Sequence, residues 1–388
     1  MLSLCFYKCS SIKNIPQHKS LLVNESFVLN GVPLNQELSK QLSLYPPNSY
    51  ILGVPAKLHL FNLAKKNSDS LFDVWLDKKD NRREKLTRVY SDKQIKQLRK
   101  YRNNFNFWLK KSGEPPSVFY ENNTLKTIER IKQFYKNKGY FNVAVKTEID
   151  TIGVQKVKIK YAIESGKVFT ISKKFKTIAS ADLDSLYTRN LKSSFLKENS
   201  VFEVENFTLE RERLLKLFRN NGIENFQQKS IRFKVYLDSL GKDLKIPIDI
   251  IIQNEAKRDQ NKILEVPYVV QKVNDVKLYI ENPTKDFSVY TDTLKYNSLT
   301  ILSDGKLKYK PKALTSGIFI KEGLPYSDKA RSETYKYYSD LKVFKYPNID
   351  FSLDPKDSLG LVSSIYLTPR DPFSVGFDLD LSHSNIQF

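Results

Sequence analysis

The chain has few of the residues from which covalent cross-links and metal centres are built. Its 388 residues include two cysteines, Cys5 and Cys9, and three histidines. Two thiols so close together near one end cannot cross-link the body of the chain or supply it with a cysteine zinc site. The histidines are scattered at His18, His59 and His383, which excludes a histidine metal cluster. The sequence therefore predicts no metal site and no cofactor.

Long apolar runs and catalytic motifs are also missing. No stretch of 18 apolar residues occurs, so the sequence encodes no transmembrane helix. The chain has no G-x-x-x-x-G-K-[ST] phosphate loop, no G-x-G-x-x-G fingerprint, and neither H-E-x-x-H nor G-x-S-x-G. Three isolated histidines cannot be assembled into a nucleophile, base and acid triad. These absences predict a protein that is not an enzyme.

Basic residues are in large excess. Lys and Arg number 64 against 43 Asp and Glu, a net charge of +21. Such an excess indicates an anionic partner, which is nucleic acid, a lipid headgroup surface or an acidic protein. Nearly half of it lies between Lys78 and Lys111, where 13 basic residues accompany three acidic ones. The candidate anionic-surface residues are Lys96, Arg99, Lys100, Arg102, Lys110 and Lys111.

These candidates fall on a predicted amphipathic helix. Ser91 with Gln94 three residues later forms a capping-box pattern, and Gly113 with the prolines behind it marks the end of the helix. One face of the helix is apolar and carries Ile95, Leu98, Tyr101, Phe105 and Trp108. Packing of this face on its own domain is the favoured interpretation, and docking of the face on a membrane surface is the alternative.

A helix, a tight break and two strands follow one another three times along the chain. The first copy covers residues 125–163 with its break at Gly139, and the second covers residues 209–252 with its break at Gly222. Glycine suits such breaks because a left-handed C-cap penalises a Cβ. The repeat predicts a row of small α+β modules joined by short linkers.

The third copy is longer than the other two. Its break falls near Lys342, 120 residues after Gly222, whereas Gly222 lies 83 residues after Gly139. The third module therefore carries an insertion of roughly 35 residues, which we place within residues 286–310. Residues 290–302 in that span are predicted to add a hairpin.

The last residues alternate strictly between apolar and polar from Phe373 to Leu381. That pattern is typical of a transmembrane β-strand with one lipid-facing side. An ordinary half-buried edge strand gives the same pattern, because strand side chains alternate between two faces. Both interpretations stay open from the pattern itself.

The predicted modules also offer unpaired strand edges. In a module whose elements follow one another as βααββ, the strand at the edge of the sheet has no partner on its outer side. Such an edge can accept an extended peptide by β-augmentation, in which backbone hydrogen bonds give affinity without demanding a particular sequence. A protein that handles many different clients would benefit from this tolerance.

The order of the elements, together with two motifs, resembles the POTRA (polypeptide-transport-associated) module. The motifs are Asn137-Lys138-Gly139-Tyr140-Phe141 and Glu164-Ser165-Gly166-x-x-Phe169-x-Ile171. Residues 317–351 resemble the barrel-proximal POTRA of the BamA/TamA outer-membrane assembly family, and residues 373–388 resemble its first barrel strand. Cys9-Ser10-Ser11-x-Lys13-x-x-Pro16 and Gly113-Glu114-Pro115-Pro116 are similar to a Bacteroidetes lipoprotein branch of TamA-like proteins, which makes Cys9 a candidate for lipidation.

The resemblance implies an α+β fold of tandem βααββ POTRA modules, followed by the first strand of a transmembrane β-barrel that is otherwise absent. The implied domains are a tail at 1–19, module 1 with a basic helical insertion at 20–166, module 2 at 167–262, module 3 at 263–369 and the barrel strand at 370–388.

The implied function is that of a periplasmic arm of an outer-membrane protein assembly or translocation factor in a bacterial outer membrane. Its expected partners are unfolded outer-membrane proteins or a periplasm-spanning TamB-type protein, and the membrane itself. One alternative is a soluble basic scaffold that binds nucleic acid or another anionic partner, and nucleic acid is the less favoured ligand. A second alternative is the arm of a two-partner secretion transporter.

Overall fold

The βααββ order predicted from the sequence recurs three times in the computed structural model. The structure describes residues 11–66, 68–78, 81–236, 244–259, 262–281 and 289–370. These residues belong to two compact units, Met1–Phe169 and Thr170–Phe388. Cys9 and the strand predicted over residues 373–381 lie outside the described residues.

The first unit holds one module and its helical insertion. In chain order its elements are β1 (Leu21–Leu29), β2 (Val32–Pro33), α1 (Gln36–Leu42), α2 (Ala56–Leu63), α3 (Ser68–Asp77), α4 (Arg82–Val89), α5 (Asp92–Ser112), α6 (Glu121–Asn137), β3 (Ala144–Thr151) and β4 (Lys156–Glu164). The sheet has the order β2-β1-β4-β3, with β1 parallel to β4 and β3 antiparallel to β4.

Helices α1 and α6 pack their apolar sides on this sheet. Leu42, Ile131 and Tyr135 from the helices meet Ile159 and Tyr161 from β4 in one buried core. Helix α6 ends just before Gly139, which has φ +84° and therefore takes the left-handed conformation that the sequence predicted. The first module is thus β1-α1-α6-β3-β4, with the insertion between its two helices.

The insertion consists of α2 to α5. Helix α5 begins with the predicted capping box, in which the Ser91 hydroxyl and the Gln94 side chain bond each other's backbone N–H groups. Phe72 and Leu76 on α3 and Leu109 on α5 are buried, and α5 contacts both α2 and α3. The basic helical insertion predicted for the first module is therefore a set of four helices with its own small core.

The second unit holds the other two modules. In chain order its elements are β5 (Thr170–Ile178), α7 (Ala181–Arg189), α8 (Val204–Arg219), β6 (Ile231–Val235), β7 (Lys245–Ile252), β8 (Glu255–Asp259), β9 (Lys262–Val266), β10 (Lys272–Ile280), β11 (Asp292–Tyr296), β12 (Leu299–Ser303), α9 (Pro311–Thr315), α10 (Asp328–Leu341), β13 (Asn348–Asp354) and β14 (Asp357–Leu367).

The second module is β5-α7-α8-β6-β7, with strands in the order β5-β7-β6. The first strand is parallel to the last, and β6 is antiparallel to β7, as in the first module. Strands β8 and β9 form a separate hairpin that spans the expected boundary between the second and third modules at residue 262. The domain boundaries given above stay predictions.

The third module is β10-α9-α10-β13-β14 with an added hairpin. Strands β11 and β12 form this hairpin, which confirms the one predicted over residues 290–302, and β12 lies parallel to β10. The sheet order becomes β11-β12-β10-β14-β13. Helix α10 ends at Lys342, which takes the left-handed conformation with φ +56° although it is not a glycine.

Candidate functional site

The six candidate anionic-surface residues divide into two groups in the structure. Lys96, Lys100, Lys110 and Lys111 are exposed on α5, and none of them forms an ion pair within the described part of the chain. Their ammonium groups are free to meet an anionic partner. Whether they do so stays a prediction.

Arg99 and Arg102 are occupied by contacts inside the insertion. The Arg99 guanidinium lies 2.5 Å from the Asp73 carboxylate and 5.3 Å from the centre of the Phe72 ring. The Arg102 guanidinium lies 4.1 Å from the centre of the Trp75 ring. Cations over aromatic rings and paired with carboxylates stabilise packing, so these two side chains hold α5 against α3.

The favoured interpretation of the apolar face of α5 is wrong. Leu98, Tyr101, Phe105 and Trp108 retain 37%, 78%, 69% and 51% of their accessible surface. The side of α5 that packs on the insertion carries Arg99, Asn106 and Leu109 instead, and the Asn106 carboxamide bonds the backbone of Lys65. Polar side chains can pack against a neighbouring helix when their hydrogen bonds are satisfied. A pattern of apolar residues does not indicate a packed side of this kind.

An open strand edge in the first module is the candidate binding site. Ile152, just after β3, donates its N–H to the carbonyl of Lys156 at 2.8 Å. Backbone groups alternate between the two sides of a strand. On the far side of β4, the Ile163 carbonyl accepts from Asn30, so the opposed pair of Val145 and Ile163 shares no hydrogen bond. The residues whose backbone groups point away from β4 are Val145, Thr147, Ile149 and Thr151.

The outer edge of β3 is longer than those of the five-residue strands β6, β8, β9 and β11, and no described residue covers it as β5 and β13 are covered. Its eight residues pair with β4 without a register shift, and no described residue bonds the outward backbone groups. On β13 the Ile349 carbonyl accepts from the Arg331 guanidinium. On β5 the backbone of Ile171 bonds Ser200 and Asn199. Strand β10 is covered by β12, and β6 has five residues.

The side chains of β3 differ between its two faces. Val145 packs against the core beneath α6, and Ile149 further along the same face is 46% exposed. On the opposite face Lys146 pairs with Glu164 at 3.1 Å, and Glu148 pairs with Lys160 at 3.0 Å. An added strand would therefore find apolar surface on the helix side and charged groups on the other, which matches a segment of alternating apolar and polar residues.

The tyrosine opposite the middle of β3 is a fixed part of this scaffold. Tyr161 faces Thr147 across the β3–β4 pair and stacks on Phe27 with ring centres 5.0 Å apart. Burial, and to a lesser extent the negative charge of Glu25, raise the pKa of Tyr161 to about 12. The Tyr161 hydroxyl is therefore neutral at pH 7, and this side chain does not change the charge of β4, the strand paired with β3, near that pH.

Among the described residues no three His, Cys, Asp or Glu side chains come together in a way that could hold a metal ion. Within the same residues, no helix combines the length and the apolar character needed to cross a bilayer.

Residues 87–166 match the family model of the POTRA domain, described as a surface antigen variable number repeat. This span contains α5, α6, β3 and β4. The open edge of β3 thus lies in the part of the chain that matches the family, and α5 lies there too. No curated protein matches the chain at a significant level.

Several solved structures are similar to the chain at low identity. BamA POTRA3-5 from Haemophilus influenzae is 13% identical, with 66% of this chain and 87% of that chain covered and a TM-score of 0.30. POTRA1-3 of Omp85 from Anabaena is 8% identical, with 91% and 97% covered and a TM-score of 0.23. CdiB from Escherichia coli is 12% identical, with 65% and 34% covered and a TM-score of 0.17.

The open edge of β3 was not singled out by the sequence. The repeat indicated that each module has edge strands, but not which edge lacks a cover. One feature of the sequence pointed to this edge, namely the regular alternation of residues 141–149 followed by a short turn. Such a pattern predicts a strand without bulges, and a strand of that kind presents a continuous edge when it is paired on one side.

Proposed function

We propose that the chain is the periplasmic arm of an outer-membrane protein assembly or secretion factor, and that it binds extended segments of unfolded client proteins along the outer edge of β3. The observation that carries the proposal is the set of outward backbone groups at Val145, Thr147, Ile149 and Thr151, which no described residue bonds. The POTRA match over residues 87–166 supports it.

Backbone pairing suits a protein with many clients. A strand added along β3 would form its hydrogen bonds with main-chain groups, which every client has, so affinity would not depend on one sequence. Preference would come from the exposed side chain of Ile149, which favours an apolar residue at the facing position. Charged groups on the other face of β3 discourage uncontrolled edge-to-edge pairing of the protein with itself.

The finer identity of the system is part of the same proposal. Membership in the BamA/TamA family, a TamB-type docking partner, an outer-membrane location and acylation of Cys9 are supported by the sequence motifs described above. Alkaline hydrolysis of the protein from membranes of its natural host, followed by mass spectrometry of the released acids, tests the acylation of Cys9. Fatty acid that remains bound to the protein after substitution of Cys9 by Ala would contradict it.

The binding proposal is tested by removing one outward amide from β3. Thr147→Pro deletes an N–H that points away from β4, and proline is tolerated at such edge positions. We expect fluorescence anisotropy of a labelled peptide with alternating apolar and polar residues to report binding about tenfold weaker than to the unaltered chain, because the main-chain hydrogen bond is lost. Thr147→Val keeps the amide and should bind nearly as the unaltered chain does.

A second proline distinguishes the edge of β3 from strand edges in general. Tyr236 donates its N–H to Pro247 across the β6–β7 pair, so the neighbouring amide of Val235 points away from β7. Val235→Pro should leave peptide binding unchanged. Equal loss in the Val235→Pro and Thr147→Pro variants, or no loss in either, would contradict the assignment of the site to β3.

A further inference from the structure

Helix α5 presents an apolar stripe that the described part of the chain leaves uncovered. Leu98, Tyr101, Phe105 and Trp108 recur at spacings of three and four, which places them along one side of the helix. The rings of Phe105 and Trp108 stack with centres 5.8 Å apart. Three large aromatic side chains exposed along one side of a helix form a contiguous apolar patch, whereas exposed apolar residues on ordinary protein surfaces are scattered singly.

A stripe of lysines runs beside the apolar stripe. Lys93, Lys100 and Lys111 are separated by seven and eleven residues, which correspond to about two and three helical turns. All three are exposed, and none forms an ion pair with a described residue. One exposed ring, Phe107, lies seven residues after Lys100 and therefore on the lysine side. Apart from this ring, apolar and cationic side chains are separated on the outward half of α5.

The third side of α5 is fixed to the protein. Arg99 pairs with Asp73, Arg102 covers the ring of Trp75, and Leu109 is buried. Rotating the apolar stripe inward would break these contacts. The capping box at Ser91 further stabilises the helix before any partner binds, so a partner meets a preformed surface and little ordering cost opposes binding.

We propose that α5 docks this surface on an anionic lipid bilayer, with the helix axis in the plane of the membrane. Leu98 and Phe105 would enter the boundary of the acyl chains, and Tyr101 and Trp108 would lie at headgroup level, where amphipathic rings are favoured. The lysine stripe would contact lipid phosphates, which attract each nearby lysine.

The separation of the apolar stripe from most of the lysines, with Phe107 as the exception, favours a bilayer over nucleic acid. A bilayer surface has an apolar layer beneath an anionic one, so it rewards a helix that separates apolar from cationic side chains. Single-stranded nucleic acid places bases and phosphates at every nucleotide and is bound by grooves in which aromatic and basic groups are mixed. Arg99 and Arg102, whose guanidinium groups are the best phosphate partners on α5, are already bound within the insertion.

Intrinsic fluorescence gives a direct measurement of docking. The chain has two tryptophans, Trp75 and Trp108. In a Trp75→Phe variant Trp108 is the remaining tryptophan, and we expect its emission to shift to shorter wavelength when the full chain is mixed with vesicles of phosphatidylcholine and phosphatidylglycerol in equal parts. Vesicles of phosphatidylcholine alone, or added salt, should largely abolish the shift. An unchanged spectrum with the anionic vesicles would overturn the proposal.

Two sets of substitutions test the stripes separately by co-sedimentation with the same vesicles. Combined Lys93→Gln, Lys100→Gln and Lys111→Gln should weaken binding about 100-fold, since each lysine near an anionic surface contributes about fivefold. Combined Tyr101→Ser, Phe105→Ser and Trp108→Ser should weaken it at least as much. These side chains are exposed, so the fold should persist, and circular dichroism checks this.

The matched control removes three exposed lysines of the same unit that lie outside the insertion. Lys126→Gln, Lys136→Gln and Lys158→Gln together should leave vesicle binding within about twofold, because only charges close to the membrane contribute strongly. Equal weakening by both lysine sets would reduce the effect to net charge and overturn the proposal. The proposal would also be overturned if the chain bound a single-stranded oligonucleotide that the vesicles could not displace. It would likewise be overturned if the chain formed dimers that the aromatic substitutions abolish and did not bind vesicles.

Discussion

The guanidinium of Arg213 donates two hydrogen bonds to the carboxylate of Glu210, at 2.7 Å to Oε1 and 2.9 Å to Oε2. Both residues lie on α8, and Glu210 is fully buried. The same carboxylate accepts the Ser194 hydroxyl at 3.0 Å and the Phe195 N–H at 2.9 Å. The pair therefore anchors the segment between α7 and α8 on the second module.

Glu210→Ala is expected to lower the free energy of unfolding of the second module by about 3 kcal/mol, because it leaves the Arg213 charge and two further donors without their acceptor. Hydrogen exchange of the amides of β7, measured with increasing urea, reports this change. Glu205→Ala, which removes an exposed carboxylate from the same helix, should have little effect. Similar values for the two variants would show that the buried pair does not stabilise the module.

Gly222 joins the end of α8 to the segment before β10. Its φ of +100° favours glycine, and a Cβ there would lie 2.6 Å from Cγ1 of Val270. Gly222→Ala should cost about 1 kcal/mol more than Gly305→Ala, because Gly305 also has a positive φ but open space around it. Urea unfolding of the two variants gives the difference. Equal destabilisation would mean that the close approach of Val270 relaxes at no cost.

The half-buried carboxyl of Glu25 should make the first module sensitive to pH. Burial raises its pKa above the ordinary value of 4.5, although the hydroxyl of Ser43 donates to it. The protonated form is therefore favoured in the folded chain, so its stabilising contribution is complete below pH 4.5 and is lost as pH rises through the folded pKa. Glu25→Gln cannot titrate. The melting temperature of this variant, relative to that of the unaltered chain, should therefore increase as the pH rises from 4.5 through the folded pKa of Glu25. Parallel curves for the two proteins would contradict the assignment.

Arg99 and Arg102 should prove structural, unlike the lysines on the same helix. The combined variant Arg99→Gln and Arg102→Gln removes one ion pair and two cation–π contacts, so we expect the insertion to lose about 1–2 kcal/mol of stability. Limited proteolysis within α3 to α5 measures the loss as faster cleavage. Lys96→Gln with Lys100→Gln removes the same number of charges and should leave the cleavage rate unchanged. Faster cleavage in both variants would indicate a general effect of charge.

Much of the architecture could be predicted from particular residues. Spacings of three and four around Ile131 and Leu214 indicated helices that α6 and α8 confirm, and alternation around Ile349 indicated the strand that β13 confirms. The difference in module length placed the extra hairpin correctly. These signals are local, because a helix or strand must put its apolar residues on one face wherever it lies.

The sequence by itself determined the helix, the break and the two strands of each module, and that this order recurs three times. Only the tertiary structure decided which surfaces stay open. Periodicity shows that Tyr101, Phe105 and Trp108 share a side of α5. It does not show that a different side packs on the protein, because the contacts on that side are made with residues at least 26 positions earlier. Arg99 contacts Asp73, and Asn106 contacts Lys65. Likewise, β3 is open and β10 is covered because of which strands lie beside them, and pairing between distant segments is not written in the pattern of either strand.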